Sequence, residues 1–124
     1  MIGAPVWIGV ALLGGGGAIA RFALDRAIGA HAAQASSLPL GTLAVNASGA
    51  LLLGLLSGAG VGGDALVLAG AATLGSYTTF STWMLESQRL AEEAQGRSAA
   101  LNILLSLAAG VAAVALGHTI GAAL

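Results

Sequence analysis

The stretch that decides the fold is residues 65–85, which read ALVLAGAATLGSYTTFSTWML and carry no charged side chain. Asp64 precedes this stretch and Glu86 follows it. A helix needs about 20 mostly apolar residues to cross the hydrocarbon core of a bilayer. The stretch therefore predicts one membrane span with a carboxylate at each edge.

The centre of this span is poor helix material. Glycine and a run of hydroxyl-bearing and β-branched residues occupy positions 75–82, and these residue types lower helix propensity. Irregular backbone at membrane depth is tolerated only where its polar groups meet protein, ions or water. We predict a functional break over Gly75–Thr79. The alternative is an ordinary glycine kink, in which the hydroxyls bond back to the preceding turn.

The rest of the chain fits a small all-α membrane protein. Charged residues make up 7% of its 124 residues and hydrophobic residues 57%, whereas a soluble domain has about 25% charged residues. We predict one four-helix transmembrane domain over residues 1–124, with a mature first span rather than a signal peptide. The other uncharged stretches are Met1–Ala20, 32–63 with a helix starting near Pro39, and Ser98–Leu124.

The predicted connections differ in character. Arg21–Ser37 is a polar stretch, and Gly60–Asp64 is a tight glycine-rich turn. Between Glu86 and Arg97 we expect the third helix to continue out of the membrane as far as Gly96, and then to turn.

Small residues recur every four positions on the second and fourth spans. This spacing places them on one helix face, and small residues let membrane helices approach closely. We predict close helix packing there. The alternative is that alanine and glycine are abundant enough to give such ladders by chance. The ladders are Ala50, Gly54 and Gly58, and Ala109, Ala113, Gly117 and Gly121.

The basic residues give the chain a direction. In a protein with four spans, the first and third connections lie on the same side of the membrane. The first holds Arg21 and Arg26, and the third holds Arg89 and Arg97. These are all the basic residues apart from histidine, since the chain has no lysine. Lysine and arginine mark cytoplasmic loops. We expect both termini outside, in a bacterial inner (plasma) membrane.

The sequence excludes several classes of function. A chain without lysine lacks the basic face that nucleic-acid binding needs. We find no nucleophile–base set or paired acids that would indicate an enzyme. The predicted spans hold no carboxylate, which counts against a small four-helix drug or cation antiporter. Asn46, about two turns into the second span, is either an interhelical hydrogen-bonding residue or a donor to a polar pathway.

Three stretches of the chain form recognisable motifs. Residues 15–22 read GGGAIARF, a glycine-rich stretch ending in arginine and an aromatic residue. Residues 41–49, on the second span, read GTLAVNASG, and residues 78–83, on the third, read TTFSTW. In this order and spacing the motifs resemble those of the Fluc (CrcB) family of bacterial fluoride channels, whose third-span signature is Thr-Thr-Phe-Ser-Thr-Phe. The resemblance covers nearly the whole chain.

The resemblance implies a passive fluoride-selective channel. It implies an antiparallel dimer with two fluoride pores at its interface. A structural sodium ion at its centre would be bound by the backbone carbonyls of Gly75 and Thr78. The candidate fluoride path comprises Arg21, Asn46, Thr79, Phe80, Ser81, Thr82 and Trp83.

Three positions depart from the family pattern. Trp83 stands where the second phenylalanine is usual, Ser76 replaces a common glycine, and Asn102 stands where tyrosine is frequent. The one-sided arginines raise a further alternative, because an antiparallel homodimer requires each chain to insert in both directions. The chain would then be one subunit of an obligate heterodimer with an oppositely oriented relative.

Overall fold

The computed structural model describes residues 2–124, so Met1, the first residue of the first predicted span, lies outside the described residues. Within that range the chain is helical and has no strand, which confirms the all-α prediction. The helices are α1 (Ala4–Ala32), α2 (Leu40–Gly58), α3 (Gly63–Leu66), a π-helical segment (Val67–Leu74), α4 (Gly75–Tyr77), α5 (Phe80–Glu92) and α6 (Gly96–Ala122).

Three continuous helices, α1, α2 and α6, are long and apolar enough to cross a membrane. The remaining pass is a broken helix, whose first half is residues 63–77 and whose second half is α5. Gly9 of α1 packs against Leu68, and Gly17 packs against Thr73. The first half of the broken helix therefore runs parallel to α1.

The second half continues in the same direction along α2. Thr78 packs against Gly49, near the middle of α2. Further along the chain, Glu86 accepts a hydrogen bond from Thr42, near the start of α2. Since the contacts on α2 move steadily toward its N-terminus, the two halves together make a single pass antiparallel to α2.

Helices α2 and α6 share the most extensive contact in the bundle, and glycines make their close approach possible. Gly54 and Gly58 face the backbone around Val114 and His118, and Gly117 faces the carbonyl of Leu51. A methyl group at any of these glycines would overlap the facing backbone. The predicted close packing of spans two and four is thus confirmed at its glycine positions.

The first helix is longer than the sequence predicts. The expected polar connection Arg21–Ser37 is wrong, because α1 continues without interruption to Ala32. The polar and charged side chains of its last turns are compatible with a helix. For example, the Arg26 guanidinium lies 5.6 Å from the ring centroid of Phe22, one helical turn earlier, which is a cation–π distance. The actual connection is residues 33–39.

The second polar connection is also shorter than predicted. The third helix ends at Glu92 rather than Gly96, and Gly96 instead begins α6. Ala94, with a φ of 60°, makes the turn between them. The two connections lie at the same end of the bundle, since the hydroxyl oxygens of Ser37 and Ser98 are 3.2 Å apart. The arginine-bearing segments therefore gather at one end.

Candidate functional site

The break in the third pass is two residues long. Thr78 and Thr79 have extended backbone, with φ and ψ of −81° and 160°, and −147° and 122°. The predicted break over Gly75–Thr79 is wrong in its first part, because Gly75–Tyr77 is still helical. The Ser76 hydroxyl donates to the Ala72 carbonyl at 2.8 Å and supports that turn. The predicted alternative, hydroxyl groups bonding to the preceding turn, is therefore present at Ser76, and the backbone is nevertheless interrupted at Thr78 and Thr79.

Asn46 holds the break against α2. Its Nδ2 donates to the Thr79 carbonyl at 2.9 Å, and its Oδ1 accepts from the Thr79 N–H at 2.8 Å. The side chain replaces the helical acceptor that the Thr79 N–H has lost, and it gives the Thr79 carbonyl an additional donor. Asn46 is therefore an interhelical hydrogen-bonding residue. Its amide nitrogen carries a second hydrogen that this pair leaves over.

Thr79 begins the second half of the broken helix. Its Oγ1 accepts from the Thr82 N–H at 3.2 Å, which is an N-cap. The same hydroxyl donates to Thr82 Oγ1 at 3.0 Å. The hydroxyl hydrogen of Thr79 is thus occupied. That of Thr82 stays available, because its oxygen acts as an acceptor in this bond.

The break leaves the four backbone carbonyls of residues 75–78 without their helical donors, among them those of the two predicted sodium ligands, Gly75 and Thr78. In an α-helix a carbonyl accepts from the N–H four residues later. The donor for Gly75 would be the Thr79 N–H, which Asn46 takes. The donor for Thr78 would be the Thr82 N–H, which the Thr79 hydroxyl takes. Carbonyl oxygens freed in this way are suitable ligands for a hard cation.

Two cavities meet at Thr79. The first, of about 370 Å³, is lined at the break by Asn46, Gly75, Thr78, Thr79, Phe80 and Trp83. The second, of about 190 Å³, is lined by Arg21, Phe22, Asp25, Thr42, Val45, Thr79 and Thr82. Thr79 lines both cavities, so the capped end of α5 lies between a mid-membrane space and a polar space toward the arginine-bearing end.

The structure brings most of the predicted site residues to these two cavities. Ser81 is the exception: it is exposed and lines neither cavity, although its Oγ lies 3.4 Å from Thr79 Oγ1. Phe80 lines the larger cavity and is 71% exposed, so much of its ring points away from the subunit.

The indole of Trp83 makes a hydrogen bond to α6 that the sequence does not predict. Its N–H donates to the Asn102 carbonyl on α6 at 3.2 Å. This donor is therefore used within the chain, and the ring lines the larger cavity. Two of the departures from the family pattern, Trp83 and Asn102, are thus in contact with each other.

Two pairs at the site were not predicted. The Thr42 hydroxyl donates to Glu86 Oε1 at 3.0 Å, while the buried Oε2 has no partner among residues 2–124. The hydroxyls of Ser48 and Tyr77 are 2.8 Å apart, which joins α2 to the first half of the broken helix. Each pair joins residues 29 or more positions apart, and single-sequence periodicity carries no signal for such contacts.

Comparison with known proteins shows the family of the chain. The family model described as "CrcB-like protein, Camphor Resistance (CrcB)" matches residues 8–118. A "Fluoride-specific ion channel FluC 2" of Mycolicibacterium paratuberculosis is 53% identical over 113 residues, which is 91% of each chain. A protein of the same name from Mycobacterium bovis is 50% identical over 115 residues, covering 93% of this chain and 90% of its own.

A more distant relative is named FluC 1 rather than FluC 2. "Fluoride-specific ion channel FluC 1" of Symbiobacterium thermophilum is 38% identical over 120 residues, covering 93% of this chain and 96% of its own. Similarity over nearly the full length, together with a model match from residue 8 to residue 118, shows that the chain belongs to the CrcB family, among whose members are proteins named fluoride-specific ion channels.

Proposed function

We propose that this protein is a subunit of a passive fluoride-selective channel that lets cytoplasmic fluoride leave the cell. The observation that carries the proposal is the broken third pass, pinned by Asn46 and flanked by two cavities that meet at Thr79. Hydrogen fluoride enters cells from acidic surroundings and ionises inside. The trapped anion then leaves down its electrochemical gradient, so no energy coupling and no chemical reaction are required.

The groups along the break suit a small anion. Fluoride is strongly hydrated, so a narrow path must offer hydrogens in place of water. The spare amide hydrogen of Asn46 and the free hydroxyl hydrogen of Thr82 supply such donors, and the Ser81 hydroxyl lies beside that of Thr79. Arg21 brings a positive charge to the smaller cavity, where it stands beside the carboxylate of Asp25. The ring edge of Phe80 is weakly positive and adds to the attraction.

We propose that the carbonyls of Gly75 and Thr78 bind a structural sodium ion. Both have lost their helical donors to side chains, and both residues line the larger cavity. A bound cation would satisfy these oxygens, and its charge would offset part of the cost of dehydrating an anion nearby.

The open side of the larger cavity supports a dimer. Phe80 is 71% exposed beside polar groups, and a neighbouring subunit would enclose the path. In an antiparallel dimer, two such paths form with the two broken helices at the centre. The membrane would be the plasma membrane, with both termini outside, because the arginines gather at the opposite end.

The partner subunit is the second question. All four arginines lie in segments at one end, which favours insertion in one direction and hence a heterodimer with an oppositely oriented relative. Relatives named FluC 1 and FluC 2 are compatible with paired subunits. Membership of the CrcB family argues against the antiporter alternative.

Reconstitution into liposomes tests both questions. The purified chain is reconstituted alone and, separately, after co-expression with a relative of opposite arginine bias, and fluoride efflux is measured with an electrode. Efflux from the lone chain supports a homodimer. Efflux only from the co-expressed pair supports the obligate heterodimer. No efflux in either case would overturn the channel proposal.

A further inference from the structure

The exposed ring of Phe80 has one aromatic neighbour among residues 2–124. Its ring and that of Trp83 meet edge to face, with centroids 5.6 Å apart and an interplanar angle of 84°. Edge-to-face contacts of this kind contribute about 0.5–1.5 kcal/mol beyond area burial. Because Phe80 is 71% exposed, few other contacts within the chain restrict its ring. The position of Trp83 therefore restricts the orientation of Phe80.

Trp83 is itself held by a closed loop of hydrogen bonds. Its indole N–H donates to the Asn102 carbonyl at 3.2 Å. The Asn102 amide donates to the Ser87 hydroxyl at 2.9 Å. The Ser87 hydroxyl donates to the Trp83 carbonyl, also at 2.9 Å. The loop thus joins α5 to α6 through three residues.

Two members of this loop are too deeply buried to meet an ion. Ser87 is 4% exposed and Asn102 is 3% exposed, and neither lines the two cavities at the break. Polar side chains inside a membrane protein are costly unless they are paired. The hydrogen bonds of Ser87 and Asn102 converge on Trp83. A phenylalanine at position 83 would have no N–H for the Asn102 carbonyl.

We propose that Ser87 and Asn102 are positioning residues, which fix the indole of Trp83 and, through it, the ring of Phe80 at the fluoride path. The Asn102–Ser87 bond sets the register of α6 against α5, so that the Asn102 carbonyl faces the indole. The inference rests on the proposed function where it concerns fluoride. The geometry of the hydrogen-bonded loop does not depend on it.

A double-mutant cycle separates positioning from a general structural effect. Ser87→Ala, Trp83→Phe and the double variant are compared by fluoride efflux per incorporated subunit, in the subunit combination that is active. Contacting residues in one network are non-additive. We expect Ser87→Ala to slow efflux roughly fivefold in the natural chain but less than about twofold in the Trp83→Phe background. Equal slowing in both backgrounds would overturn the proposal.

A second measurement does not need transport. The chain has two tryptophans, and Trp83→Phe assigns their indole N–H signals in an NMR spectrum of ¹⁵N-labelled protein. We expect Ser87→Ala to speed hydrogen exchange of the Trp83 indole roughly tenfold. Ser57→Ala, at an exposed serine on α2, serves as the control and should change nothing. Unchanged exchange in Ser87→Ala would contradict the positioning role.

Asn102→Leu provides an independent variant. It keeps the side-chain size and the backbone carbonyl but removes the amide that donates to Ser87. It should match Ser87→Ala in both measurements while the helical circular-dichroism signal stays unchanged. If the natural chain moves no fluoride, the proposed function fails, and indole exchange alone then decides whether Ser87 and Asn102 hold Trp83.

Discussion

Asn46 and Thr79 form a reciprocal pair, in which the asparagine amide donates to the threonine carbonyl at 2.9 Å and accepts from the threonine N–H at 2.8 Å. One side chain thus satisfies both backbone groups of a residue in the break. In a membrane, unpaired backbone groups cost several kcal/mol each. The pair explains how a helix can be interrupted at mid-membrane and still remain packed against α2.

Replacing Asn46 tests this pair. Asn46→Ala leaves the Thr79 N–H unpaired, while the Thr79 carbonyl, as the N-cap carbonyl of α5, keeps its helical donor. A buried unsatisfied group costs about 1–3 kcal/mol. We expect a loss of thermal stability in detergent, read from circular dichroism or from the temperature of aggregation, together with loss of fluoride efflux.

Asn46→Asp is the matched control. A carboxylate still accepts from the Thr79 N–H, but when ionised it has no hydrogen to donate, and its charge repels an anion. We expect it to be more stable than Asn46→Ala and equally unable to pass fluoride. Full fluoride efflux from Asn46→Asp would refute a role for this amide in the path.

The capping hydroxyl of Thr79 gives a second prediction. Thr79→Val keeps the shape of the side chain but removes the N-cap of α5, which is worth about 1 kcal/mol. It also frees the Thr82 N–H and the Thr82 hydroxyl from their partner. We expect lower stability and slower fluoride efflux, whereas Thr79→Ser should behave like the natural chain. Equal behaviour of the two variants would exclude the cap as the cause.

The sequence predicted the broken pass because its chemistry is local. An uncharged stretch of membrane length and a run of threonines are both visible in residues 65–85. The length of the break was overestimated, since helix propensity counts Ser76 and Tyr77 as weak formers. Their real partners, the Ala72 carbonyl and the Ser48 hydroxyl, depend on the folded structure.

The ends of helices were harder to predict for a related reason. Charged residues such as Arg21 and Arg26 mark the edge of a membrane, and from the sequence alone that edge predicts the end of the first helix. A helix that leaves the bilayer keeps its own backbone hydrogen bonds, so it need not stop there, and α1 runs on to Ala32. The Trp83–Asn102 contact was likewise invisible, because nothing local links two positions 19 residues apart.

The α2–α6 interface provides a prediction about stability alone. A methyl group at Gly117 would overlap the Leu51 carbonyl, whereas one at Gly110, on the same helix, meets nothing within 4 Å. Overpacking typically costs about 1–3 kcal/mol. We expect Gly117→Ala to lower the unfolding temperature and Gly110→Ala to leave it unchanged or raise it slightly. The reverse order would contradict the close packing described for this interface.

The arginine distribution predicts the orientation of the chain. Alkaline phosphatase fused to the C-terminus should be active, because that enzyme folds outside the cytoplasm, and a fluorescent protein that matures only inside should be dark. Replacing all four arginines by glutamine and placing arginines in the turn at residues 60–62 should reverse both signals. Mixed signals from the natural chain would show dual insertion and would support a homodimer.

The most direct test of the central claim is a comparison of fluoride and chloride release from liposomes loaded with the potassium salt of each anion. Valinomycin, which lets potassium out, is added to start passive release. We predict fast fluoride release after valinomycin, with the chain in its active subunit combination, and chloride release no faster than from protein-free liposomes. Fluoride release no faster than from protein-free liposomes, or chloride release at a similar rate, would contradict the account.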